Sequence, residues 1–171
     1  MRRAVILTIA LALAACDDDN PAGPSNSGPI VFTSQLSAAN EVPPVTNAES
    51  GGRGTVTITF AVPRDNSGNP TGGGDATFQV QLNGFPPNTT MRAAHIHPGA
   101  AGVNGSPLVN TDLTAASPLP LPNGSGTRTL TGTVTQQQAT DIMANPANFY
   151  FNVHSALNPG GAARGQLARQ Q

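Results

Sequence analysis

Hydrophobic and polar positions alternate along most of this chain, and glycine or proline interrupts the alternation every few residues. In 54–62 (GTVTITFAV), Val56, Ile58 and Phe60 share one face, while Thr55, Thr57 and Thr59 share the other. In 76–84 (ATFQVQLNG), Phe78, Val80 and Leu82 alternate with Gln79 and Gln81. A period of two is the mark of a strand with one buried and one wet face, as in antiparallel sheets. The same reading gives strands at 30–37, 92–97, 107–113, 127–134, 148–155 and 163–168. Loops rich in turn residues separate them, notably 63–75 and 115–126. One helix is predicted over 136–144, with Thr135 as its cap and Ala139, Ile142 and Met143 on its apolar side. No internal repeat is visible. Eight strands and one short helix predict an all-β fold, an Ig-like antiparallel β-sandwich or barrel.

The N-terminus breaks this pattern. Arg2 and Arg3 precede a short apolar run at 4–12, which ends in Leu13-Ala14-Ala15-Cys16. The run is too short to span a membrane. Charge, apolar run, small residues and the only cysteine fall in the order of a bacterial lipobox, which this segment resembles. The expectation is a signal peptide at 1–15 and lipidation at Cys16, so that lipid anchors the chain to a membrane of the cell envelope. Residues 16–29 are polar and rich in Pro, Gly and Ser, and read as a flexible tether. The folded domain is expected over 30–169. Cleavage would remove two arginines and leave six against nine acids, a net charge of −3. Lysine is absent and no basic patch exists, which argues against nucleic-acid binding.

Chemistry is sparse. No G-x-S-x-G elbow or paired carboxylates suggest a hydrolase, and Gly72-Gly73-Gly74 lacks the lysine of a phosphate loop. The three histidines are the exception: His95 and His97 in MRAAHIHPG, and His154 in FYFNVHS. Residues i and i+2 of a strand share a face, so His95 and His97 project together, opposite Ala94 and Ile96. His154 lies with Tyr150 and Asn152, opposite Phe149, Phe151 and Val153. If the two strands adjoin, three imidazoles converge on one patch, a workable donor set for zinc or copper. The same arrangement also suits a hydrogen-bonded polar cluster.

Three segments in order resemble the CHRD (chordin-type) domain family. They are Leu36-Ser37-Ala38-Ala39-Asn40-Glu41-Val42-Pro43-Pro44-Val45, then Ala94-His95-Ile96-His97 with Gly99, then Tyr150 to Ser155 with Asn158-Pro159-Gly160 and Arg164-Gly165-Gln166-Leu167. The resemblance spans about 36–167 and implies an extracytoplasmic Ig-like β-sandwich. The family occurs in chordin, which binds growth factors, and as single domains in bacterial envelope proteins. Ala162-Ala163 departs from its pattern, which carries an acidic residue and then isoleucine. Within the shared motifs, Glu41 is a candidate fourth ligand, a partner of a histidine, or a salt-bridge or hydrogen-bond partner of Arg164. Asn152 and Arg164 are candidates to support the histidines. The functional expectation is a non-catalytic binding or structural module, with an envelope protein or glycan as partner. The alternatives are a single-metal redox enzyme resembling superoxide dismutase, or a periplasmic metal store or carrier.

Overall fold

The computed structural model describes residues 28–170. The expected leader, Cys16 and the tether up to residue 27 lie outside the described residues. The strands are β1 (Ile30–Ser37), β2 (Arg53–Ala61), β3 (Gly74–Asn83), β4 (Thr89–Pro98), β5 (Val109–Asn110), β6 (Leu119–Leu121), β7 (Gly126–Val134), β8 (Phe149–Ser155), β9 (Ala163–Gln166) and β10 (Ala168–Arg169). One α-helix, α1 (Gln136–Ala144), carries the chain from β7 back to β8. Among the described residues, no helix is long and apolar enough to cross a membrane.

All strand pairs are antiparallel, in the order β5-β4-β8-β9-β1-β2-β3-β7, with β6 paired to β4 and β10 to β1. The sheet curls into a nearly closed barrel. Beyond β5, the Asp112 N–H donates to Thr131 O of β7 at 2.8 Å. In return, the Thr131 N–H donates to Asp112 Oδ1 at 2.9 Å. This seam ties the β7 edge at Thr131 to the loop after β5.

Alternation explains the core. Phe32, Ile58, Phe78 and Leu130 lie side by side across β1, β2, β3 and β7, all of them buried. Phe78 also stacks on Phe151 of β8 at 5.6 Å, so the two halves of the barrel share one interior. Thr135 and Gln138 form a reciprocal capping box at the start of α1, which buries Ala139 and Ile142.

Two parts differ from the sequence expectation. Only Val109–Asn110 of the expected strand 107–113 is extended, while Leu119–Leu121 forms a strand inside the expected loop 115–126. The last strand is interrupted at Leu167, which is buried, and resumes as β10. In both places the apolar positions are too few for alternation to reveal where pairing starts or stops.

Candidate metal centre

The site lies on the outer face of β4, β8 and β9. An irregularity in β4 creates it. Met91 pairs with Ser155, but Ala93 pairs with His154, so β4 carries one extra residue against β8. Before this bulge Thr89 and Met91 point inward; after it Ala94 and Ile96 do. A shift of one residue exchanges the two faces of a strand, so the bulge sends His95 and His97 outward.

The register then aligns the polar side chains. His95 lies opposite Asn152, which lies opposite Arg164; His97 lies opposite Tyr150. His154 pairs with Ala93 and is diagonal to His95. One ligand atom from each histidine can be chosen so that all three lie within 4.8 Å of one another. His97 is buried, while His95 and His154 are partly exposed.

Hydrogen bonds set the tautomers. His97 Nδ1 is 2.9 Å from Gly105 O, and His154 Nδ1 is 3.0 Å from Pro159 O. A carbonyl oxygen only accepts, so each Nδ1 carries a proton and each Nε2 presents a lone pair. His95 Nδ1 lies 3.2 Å from His154 Nε2 and donates its proton there. A tetrahedral ion with metal–nitrogen bonds of about 2.0–2.1 Å holds its ligand nitrogens about 3.3 Å apart. An ion replacing that shared proton therefore fits the spacing already present. His97 Nε2 is buried with no hydrogen-bond partner. Such an atom carries a desolvation cost that a bound ion would offset. Residues and spacing thus fit a metal held by three imidazoles.

Electrostatics favour the neutral, ligating form. Burial, followed by repulsion from His154 and His97, pushes the His95 pKa down to about 4. Burial is also the main cause lowering His97 and His154, against the raising effect of their carbonyl partners. Repulsion from His154 and Arg164 adds to the depression of His97.

The surrounding shell joins three loops. Tyr150 stacks on His97 with ring centroids 4.9 Å apart and planes 5° from parallel. Its hydroxyl accepts the Gly105 N–H at 3.2 Å, so Tyr150 and Gly105 together fix the plane of His97. The Arg164 guanidinium lies 4.5 Å from the Tyr150 ring centre. Arg164 is only 1% exposed and donates to Asn40 O at 2.7 Å and Asn104 Oδ1 at 2.8 Å. Asn104 Nδ2 donates in turn to Val42 O at 2.9 Å. Arg164 therefore ties the loops after β1 and β4 over the sheet.

Glu41 is buried near Asn152. A methyl group at Gly161 would meet Glu41 Oε2 at 2.5 Å and Asn152 Nδ2 at 2.8 Å. Glu41 makes no contact ion pair with Arg164. The carboxylate–guanidinium contact present among the described residues is Asp112–Arg128, at 3.9 Å. Burial raises the Glu41 pKa to about 7, although the Arg164 charge opposes the shift. Glu41 Oε1, Asn152 Oδ1 and Arg164 Nη2 are buried without partners, like His97 Nε2. Ala162 and Ala163 are fully buried, which is why small residues suit the positions where an acid and isoleucine were expected.

With this geometry in place, the comparison with family models is specific. The CHRD domain model matches residues 32–167. The chain belongs to the CHRD domain family. No curated protein matches the chain. In this CHRD domain all three family-like segments meet on one face: the first supplies Glu41, the second His95 and His97, and the third Tyr150, Asn152, His154 and Arg164.

Sequence reasoning overlooked Tyr150 and Glu49. Tyr150 was legible, since alternation already sets it on the face of His154. Glu49 gave no signal. It is buried and accepts from Ser155 Oγ and Asn158 Nδ2, both at 2.6 Å, and so anchors the turn whose Pro159 O holds His154.

Proposed function

We propose that this CHRD protein is a lipid-anchored, non-catalytic binding module of the bacterial cell envelope that holds one copper or zinc ion through His95, His97 and His154. The observation that carries the metal is the buried, partnerless His97 Nε2 beside two further imidazoles whose facing nitrogens share one proton. A bound ion would give that atom the partner it lacks. Arg164 packs on Tyr150, which stacks on His97, and the loops that Arg164 ties together present the surface an envelope protein or glycan would meet. The order of charge, apolar run and Cys16 supports the anchor.

The test is metal analysis by mass spectrometry on the full chain, extracted in detergent and purified without a histidine tag. The expected result is close to one equivalent of copper or zinc, lost in His97→Ala. Metal-free protein that also takes up neither added ion would overturn the metal reading. For the anchor, Cys16→Ala is expected to shift the protein from the membrane to the soluble fraction, and an unchanged distribution would refute lipidation.

A further inference from the structure

We propose that this site selects cuprous copper over divalent ions, and that a small anion strengthens its hold on a divalent ion. This rests on the three-histidine reading and adds the charge that the site accepts.

The donor set is electrically neutral. It consists of three imidazoles, and no cysteine, aspartate or glutamate joins the group among the described residues. The nearby fixed charge is positive. Arg164 is fully buried two strands away from His95, in the same cross-strand row, with backbone carbonyls and an amide oxygen as partners. Its hydrogen-bond acceptors are neutral, and a positive charge two strands from His95 disfavours a cation there. Glu41 is the acid in this layer, yet its Oε1 has no donor, so no hydrogen bond holds charge on that oxygen.

Burial sharpens the preference. His97 Nε2 is closed to solvent, so an ion bound there loses most of its hydration. The cost of removing an ion from water grows with the square of its charge, so a divalent ion loses about four times what a monovalent ion of the same size does. A cuprous ion satisfied by three neutral nitrogens fits this environment. A zinc or cupric ion held by three imidazoles leaves a fourth position open to water or an anion, and an anion there lowers the local charge.

The experiment is competition titration of the untagged full chain, with cuprous ion under reductant and with zinc in chloride-free buffer, with and without formate. The expected result is one cuprous ion per chain. Zinc should bind at least about tenfold more weakly, the effect of the Arg164 charge at about 10 Å and an effective dielectric near 20, and should tighten when formate is added. Arg164→Gln should tighten zinc about tenfold more than cuprous ion; if it fails to fold, the native-chain titrations still decide. Zinc that matches cuprous ion and ignores formate would overturn the selectivity and leave the three-histidine site standing. A chain that binds neither ion would overturn both readings.

Discussion

Glu49 offers the sharpest test of how the scaffold holds the site. It is 3% exposed, and its Oε2 accepts two short hydrogen bonds, from Ser155 Oγ and Asn158 Nδ2, both at 2.6 Å. Asn158 also exchanges side-chain hydrogen bonds with Asn47, at 2.8 and 3.3 Å, so the loop before β2 is clasped to the turn after β8. That turn carries Pro159, whose carbonyl fixes the His154 tautomer. Hydrogen bonds to a charged group contribute about 1.5–3 kcal/mol each. Glu49→Ala removes two and leaves the buried Ser155 hydroxyl unpaired, so the expected loss is about 3–6 kcal/mol, measured as a shift in urea midpoint. Glu49→Gln keeps one oxygen that can accept both bonds but makes them neutral, so it should lose about half as much. Because Pro159 moves with the turn, Glu49→Gln should also weaken metal binding while the protein remains folded. A Glu49→Ala protein within about 0.5 kcal/mol of the native chain, the range of ordinary surface substitutions, would refute the clasp.

Gly161→Ala should destabilise by more than about 2 kcal/mol in the same urea assay, because its φ is +149° and its new methyl would lie 2.5 Å from Glu41 Oε2. Tyr150→Phe keeps the stack on His97 and loses the Gly105 hydrogen bond, for an expected cost of about 0.5–1.5 kcal/mol by thermal unfolding. Stability should fall as pH drops from 6.5 toward 4, since the depressed His95 binds fewer protons folded than unfolded. Glu41 acts in the opposite sense: its raised pKa favours the folded state at low pH, and that contribution is lost as pH rises from about 4.5 to 7. Glu41→Gln should therefore remove the loss over that window, and a pH profile identical to the native one would show that Glu41 does not titrate as described.

Much of the barrel was legible because burial on one face of a strand writes a period of two into the residues. Val56, Ile58 and Phe60 in β2 needed no further information, and the helix announced itself through Thr135 and its apolar side. The minor strands β5, β6 and β10 were not legible at their true extents. Two or three residues cannot carry a period, and their pairing depends on which edges the curled sheet brings together.

The site itself was legible for a reason that the sequence did not contain. Alternation within 92–97 sets His95 and His97 opposite Ala94 and Ile96, but that reading began just beyond the bulge. Continued back to Met91 with strict alternation, the same strand would have set Met91 on the histidine face, whereas Met91 is fully buried. The residue that resolves the conflict is Arg92, exposed and opposite no partner in the β8 register. Removing one residue there would restore a continuous strand and turn either Met91 outward or both histidines into an apolar core. Two imidazoles in an apolar core would lose the polar partners they have on the outer face, which costs more than one irregular backbone step, so the bulge is the cheaper solution. The strand interruption is therefore part of the site, and a chain lacking Arg92 should lose either metal binding or the fold.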